Sequence, residues 1–508
     1  MLKKMFSVVF MVVVLLVSTV GCASNNNDSM DGTQTESNQT DNSQTDNSSS
    51  EMSEDYYQLT MAFIANEQED LELVEEAINE LTREELGIEV DLLQLGFGDY
   101  ADRLRLMLSG NDSLDVFPIF FQQAGTYVNA GQLVDMSDLL ESHGQGIIDV
   151  LGEDLARVGT VDGFLYGFPA QKESGSPKAV VMRKDLVDKY NIDVNSISSL
   201  SDMTEVYATI KAGEPGMDML VGPDTIDRLQ LVDNLYDYFG VLADFGQTTE
   251  VTNWFEDEVF IEYARLLREW YVDGYVMPDA ATTTESASNL VKAGNAFSYV
   301  SQTKPGFLVQ EERVTGYELE IAHIEEGLLM SSGVNFFNWG IANNSENPEK
   351  AMEFLNFAYT NADFMNLINW GIEGVHYEFN DDGTIGHPEG IDATSSAYNL
   401  NIGWQLPNQY LCHVWEGNPT DIWELTQAQN DKAIPSMGLG FVPDTSNVAN
   451  EITALSNVRN QYIAALNTGS VDVDSVLDDF NDALYSAGLQ KVIDEKQRQL
   501  DEWLMSNQ

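Results

Sequence analysis

The stretch YQLTMAFIANEQEDLELVEEAINELTREELGIEVDLL (Tyr57–Leu93) decides the fold. Tyr57 to Ile64 is a near-continuous apolar run, the pattern of a strand buried on both faces. Leu71, Val74, Ile78 and Leu81 then recur at helical spacing with acids between them, which predicts an amphipathic helix. IEVDLL reads as a second strand, Tyr100 to Leu108 as a second helix, and LDVFPIF (Leu114–Phe120) as a third strand ended by Gln122 and Gln123. Strand–helix–strand–helix–strand predicts a parallel α/β sheet with right-handed crossovers. Ligands of such sheets lie beyond the carboxyl ends of the strands, so Asn66-Glu67 and Phe120 to Gln123 fall at an expected site edge.

Upstream, Lys3 and Lys4 precede an apolar run, Met5 to Val17, and small residues lead to Gly21, the build of a secretory signal over residues 1–21. The run is too short for a comfortable transmembrane helix and no basic residues follow it. Thr19-Val20-Gly21-Cys22 resembles a bacterial lipobox, which implies that Cys22 is acylated and opens the mature chain. The alternative is an ordinary signal peptide beside a cysteine. At ~0.8 kcal/mol per buried methylene, two or more acyl chains hold a protein on a membrane. Residues 22–55 are Asn, Ser, Asp, Gln, Thr and Glu with almost nothing apolar, so they are expected to form a disordered tether. Its average span is roughly 30 Å.

The remaining length exceeds one ordinary core and predicts two or more domains. There are 83 acidic residues against 24 basic ones, a formal net charge of −59. A field of that sign repels nucleic acid and anionic membrane. It also disfavours anionic ligands unless a local basic pocket offsets it, so a neutral or weakly charged ligand is expected. Of the two cysteines, Cys22 and Cys412, an acylated Cys22 leaves Cys412 without a disulfide partner, and its apolar setting in YLCHVW reads as a buried small hydrophobe. No H-E-x-x-H, paired C-x-x-C, G-x-x-x-x-G-K or G-x-S-x-G pattern occurs and the five histidines are scattered, so neither a metal nor a cofactor is expected.

Further along, GTVDGFLYGFPAQKESGSPKAVVMRKDLV (Gly159–Val187) reads as a hairpin, a polar Gly- and Pro-containing segment and an apolar strand, as where a chain passes between two lobes. NAFSYVSQTKPG (Asn295–Gly306) reads as a second passage, and GVNFFNWGIANNSENPEKAMEFLNFAYT as a third, with Asn347 as a helix cap and Pro348 at the first helical position. Trp270, at helical spacing with Val259, Tyr263, Leu266 and Leu267, reads as core, and Trp254 and Trp503 as structural. The chain ends in amphipathic helices.

Together the lipobox, the tether, Tyr166-Gly167-Phe168-Pro169 before a crossing strand, and SENPEKAMEFLN resemble the family 1 extracellular solute-binding proteins of ABC importers. NWGIEGVHYEF, GWQLPNQYLCHVWEG and the C-terminal run from GFVPDTSNVANEITALSNVRNQYIAAL onward resemble its Gram-positive lipoprotein branch for oligosaccharide uptake. The resemblance implies a two-lobed, type II periplasmic-binding-protein-like α/β fold with an interlobe cleft and a C-terminal helical extension. Lobe 1 is expected over 56–170 plus about 301–340, and lobe 2 over about 171–300 plus 341–508. It also implies a monomer, lipid-anchored outside the cytoplasmic membrane, that captures a neutral oligosaccharide without chemistry and delivers it to ABC permease subunits. A receptor for a peptide or other small solute and a surface-anchored carbohydrate-active enzyme stand as alternatives.

A sugar offers apolar C–H faces, which suit aromatic rings, and a rim of hydroxyls, which suit amides and carboxylates. The candidate contacts are Trp339 with Asn335 and Asn338, Trp370 with Glu373, Trp404 with Asn408 and Gln409, and Trp415. Gln122, Gln171, Lys172, Ser174, Gln302 and Lys304 join them on loops that leave crossings or strand ends.

Overall fold

The structure, a computed structural model, describes residues 56–506 except Phe97, Asn111, Asp112 and Asp162, and leaves the side chains of Phe121 and Gln122 undescribed. The signal segment, Cys22 and the tether lie outside the described residues. Among the described residues no helix is long and apolar enough to cross a membrane.

The opening alternation is β1 (Tyr57–Ile64), α1 (Leu71–Leu86), β2 (Ile88–Leu95), α2 (Tyr100–Ser109) and β3 (Val116–Phe120). β1 and β2 pair in parallel from Tyr57↔Ile88 to Ile64↔Leu95. α1 turns its buried Val74 and Ile78 to the core and stops at Gly87, whose left-handed backbone (φ 66°) points its N–H at the Arg83 and Thr82 carbonyls. Only glycine takes that cap without steric cost. β4 (Gly159–Val161), β5 (Phe164–Pro169) and a late strand, Phe337–Ile341, complete a six-stranded sheet of order β2-β1-β3-(337–341)-β5-β4. The late strand runs antiparallel to both neighbours.

A second sheet has the order (319–325)-β6-(296–302)-β7, where β6 is Lys178–Arg183, β7 is Asp218–Leu220 and the others are Leu319–Glu325 and Ala296–Gln302. Its core includes Val180, Phe297 and Trp270, and Trp270 donates its indole N–H to Thr204 Oγ1 at 3.0 Å. The helices Ala449–Leu466, Val473–Ala487 and Leu489–Ser506 close this core with Leu455, Phe480 and Leu500.

The two cores place the lobe boundaries differently from the sequence expectation. Phe307, Leu319 and Ile324 pack in the second core, whereas Ile341, Phe354, Ile368 and Cys412 pack in the first. The reason is strand insertion. Ala296–Gln302 hydrogen-bonds between β6 and β7, so the chain stays in lobe 2 to Glu325, while Phe337–Ile341 enters lobe 1 between β3 and β5 and draws the next two helices with it. The chain crosses at 170–177, 326–336 and 416–440.

These passages touch one another. Leu328–Leu329 pairs in parallel with Ile434–Pro435. A Cβ on Gly175 would overlap the Ala433 methyl, and one on Gly327 would overlap the Gly175 carbonyl. Asn430 joins first and third passages: its Oδ1 accepts the Ser174 and Gly175 N–H groups (3.0 and 3.2 Å), and its Nδ2 donates to the Lys172 carbonyl (2.8 Å).

Lobe 2 also contains a strained loop in which Leu235, Tyr236 and Tyr238 have φ of 41°, 78° and 68°. The buried Lys496 of the last helix holds it, donating to the Leu235 carbonyl (3.0 Å), Asp237 Oδ1 (2.5 Å) and the Gly240 carbonyl (3.4 Å). Lys496→Met leaves Asp237 unpaired, so chemical denaturation should show a loss of about 3–5 kcal/mol. A loss below ~1 kcal/mol would refute a structural role for this ion pair.

Lys178, at the start of β6, is fully buried, and burial lowers its ammonium to about 7. Unfolded lysine titrates near ~10.4, so between these values the unfolded chain binds a proton that the folded chain lacks. Stability gained from this group therefore rises with pH across that window, by up to about 1.4 kcal/mol per unit. The slope of unfolding free energy against pH should be shallower in Lys178→Met by a corresponding amount.

Candidate functional site

β1, β3 and β5 run parallel, so their carboxyl ends share one edge of lobe 1 and the chain leaves β5 directly into the first passage. In lobe 2 the strand Ala296–Gln302 ends beside Lys178 and leads through Lys304-Pro305-Gly306 into the helix Phe307–Thr315. Between lies a cleft of about 500 Å³. Lys304, Gln310 and Arg313 line it from lobe 2, Trp370, Asn401, Gln409 and Trp415 from lobe 1, and Ile422, Trp423 and Thr426 from the third passage. Its size falls within the range of small-molecule sites.

Local structure fixes the aromatic wall. Trp370 ends the helix Ala362–Trp370, which Asn361 caps by accepting the Phe364 N–H at 2.9 Å. After Gly371 (φ 86°) the Ile372 N–H donates to His376 Nδ1 at 2.9 Å. Nδ1 is thus the acceptor, which places the ring proton on Nε2, 3.2 Å from Asp70 Oδ2. This pair ties the turn to the start of α1. The Trp415 ring lies 5.0 Å from Trp370 at 37° and 4.8 Å from His387 at 71°. Trp423 stacks on Tyr410 (5.8 Å, 21°) and donates its indole N–H to the Cys412 carbonyl at 2.6 Å. The indole N–H of Trp370 has no partner among the described residues.

A smaller hollow, about 190 Å³, lies at the carboxyl end of β1 between Ala65, Asn66 and Gln68 on one side and Asn399, Leu400 and Trp404 on the other. Gln405 clamps the end of that strand, accepting the Ile64 N–H (3.2 Å) and donating to the Ile64 carbonyl (2.8 Å). Trp404 rests on Phe337, ring centroids 5.1 Å apart. Asn401 lines the larger cleft while its neighbours Leu400 and Ile402 line the smaller, so one segment borders both.

Of the sequence candidates, Trp370, Gln409, Trp415 and Lys304 line the larger cleft and Trp404 the smaller. The structure places the others elsewhere. Trp339, Asn335 and Asn338 are fully buried: the Trp339 indole donates to the Gln405 carbonyl (2.7 Å), Asn335 to the Val158 carbonyl (3.2 Å) and Asn338 to the Asn335 carbonyl (3.1 Å). A strand central to a sheet is covered on both faces, which turns this cluster into core. Gln171 bonds Pro407 and Gln409 through its backbone and Gln427 through its side chain, and Lys172 and Ser174 are held by Asn430, so these three fix the first passage between the lobes. Buried Asn408 caps a short 3-10 turn and donates to the Tyr359 carbonyl at 2.8 Å. Gln302 ends its strand opposite Lys178, and Glu373 is exposed in the turn after Trp370. The Gln122 side chain lies outside the described residues. Arg313, Asn401 and Trp423 were not singled out in the sequence. Trp423 and Arg313 lie on ordinary amphipathic helices, and only the folding of lobe 2 and the third passage against lobe 1 brings them to the cleft.

The family described as "Bacterial extracellular solute-binding protein" matches residues 76–372, and a "Domain of unknown function (DUF3502)" matches residues 437–505. A carbohydrate ABC transporter substrate-binding protein of Streptococcus pneumoniae is 27% identical over 455 residues, 88% of this chain and 91% of that one. The crystal structure of the N-glycan transport solute-binding protein NgtS from Streptococcus pneumoniae superposes with a TM-score of 0.75 at 25% identity, covering 89% of this chain and 100% of that one. NgtS in complex with Man1GlcNAc superposes at 0.64 and 25% identity, covering 88% and 99%.

Cys412, beneath the cleft wall, is 3% exposed and burial pushes its thiol up to about 12. The thiolate is the reactive form, so at pH 8 the group is protonated as well as shielded. In a Cys22→Ser chain, a disulfide reagent should label no thiol in the native protein and one after denaturation. Rapid native labelling would contradict this placement.

Proposed function

Because the chain belongs to the family of bacterial extracellular solute-binding proteins, we propose that it captures an oligosaccharide between its lobes and passes it unaltered to the permease of an ABC importer. Members of this family are transport components rather than enzymes. The observation that carries the proposal is the interlobe cleft of about 500 Å³ with Trp370 and Trp415 side by side in its wall. Indole faces suit the C–H faces of sugar rings, and Gln310, Asn401, Gln409 and Asn418 supply planar amides for the hydroxyls. Trp404 with Asn66, Gln68 and Asn399 forms a second subsite along the same ligand.

Capture requires only that the closed clamp touch the sugar better than the open one. The three passages supply the hinge, since lobes with separate cores turn about them without repacking. The better superposition on NgtS than on its sugar complex supports a change of lobe arrangement on binding. Outside the clamp, an acylated Cys22 and the polar residues 22–55 would hold a monomer on the outer face of the membrane, free to sample the surrounding fluid.

Calorimetry of the full chain with Man1GlcNAc and larger glycans of that type should show saturable binding, with the sugar recovered intact. Trp415→Ala should weaken it by about 2 kcal/mol, near thirty-fold. Binding untouched by both Trp415→Ala and Trp404→Ala would remove this site, and shortened products would replace the receptor with an enzyme.

A further inference from the structure

We propose that the larger cleft is fitted to an oligosaccharide bearing a carboxylate, an inference that rests on the oligosaccharide function above. The chain has 83 acids against 24 bases, yet the cleft is lined by two cations, Lys304 and Arg313, and one acid, Glu173. Glu173 is already engaged, its Oε1 3.5 Å from Lys304 Nζ. Arg313 forms no ion pair among the described residues. Its guanidinium meets a backbone carbonyl, that of Glu416, at 3.4 Å.

The nearby carboxylates are turned to other tasks. Glu311 accepts from Ser288 Oγ and the Tyr299 hydroxyl, both at 2.6 Å, and Glu312 accepts the Leu319 N–H at 2.9 Å. The Glu416 carboxyl lies against Gly386. In a field as negative as this one, an arginine left without a carboxylate beside a cleft is the local basic pocket that an anionic ligand needs. Its planar fork matches a carboxylate with two parallel hydrogen bonds.

A second observation points the same way. Trp370, 5% exposed in the cleft wall, has an indole N–H with no acceptor among the described residues. The exposed Arg313 fork and the buried, unpartnered Trp370 N–H are both donors among the residues that line the cleft, and donors match acceptor oxygen. One uncompensated cation matches one negative charge. The ligand is therefore neutral along most of its rings and monoanionic at the Arg313 end of the cleft.

The test is a matched pair on the full chain: Man1GlcNAc, and the same disaccharide with mannose C6 oxidised to a carboxylate. At about 20 mM salt the acidic sugar should bind at least roughly ten-fold tighter, and this margin should shrink by about 0.5 M salt as the charges are screened. Arg313→Gln, an exposed position, should remove the margin, and a thermal midpoint within a few degrees of the parent chain's reports that the variant is folded. Equal affinities, or a margin that survives Arg313→Gln, would overturn the carboxylate inference and leave oligosaccharide capture standing. If neither sugar binds, capture itself fails for this glycan type, and the inference falls with it.

Discussion

At the waist of the molecule three lengths of backbone lie so close that side chains are excluded. Gly175 faces the Ala433 methyl, Gly327 faces the Gly175 carbonyl, and Asn430 saturates polar groups of the first passage. Everything else about the site depends on this contact. The cleft is lined from both lobes and from the third passage: Arg313 comes from lobe 2, Trp370 from lobe 1 and Trp423 from the third passage. Asn430 and the short pairing of Leu328–Leu329 with Ile434–Pro435 tie the passages together between the two separate hydrophobic cores.

Charge is distributed with the same economy. Many of the described acids sit on exposed helix faces and others on exposed loops, and several exposed arginines are paired with them, such as Arg498 with Glu495 and Glu502. Ion pairs of that kind add little stability. The buried cations have different work. Lys496 supplies three hydrogen bonds to a loop whose left-handed residues would otherwise relax, and Lys178 occupies the sheet at the root of the first passage. A polar group buried with its partners costs little and fixes one conformation; stripped of them it is expensive.

The opening of lobe 1 was legible because period decides it. Tyr57–Ile64 and Val116–Phe120 are apolar runs, and α1 carries its core residues at helical spacing. Trp270 was legible for the same reason. The boundaries after residue 300 were not, since nothing within Asn338-Trp339 says that β3 and β5, far away in sequence, will pair along both of its edges. Trp370, Trp404 and Trp415 could be picked out as aromatic platforms beside polar residues, and they do line hollows. The same chemistry misdirected the choice of Asn335, Asn408, Gln171 and Ser174. Amides serve passing backbone as well as they would serve a hydroxyl, and composition alone cannot separate those uses.

The last helix, Leu489–Ser506, places Val492, Lys496 and Leu500 inside lobe 2, whose first strand begins at Lys178. That interior therefore lacks its closing layer until residues 489–506 are in place. All buried residues of the first core, as far as Cys412, precede that helix, so lobe 2 is the last part of the molecule to close.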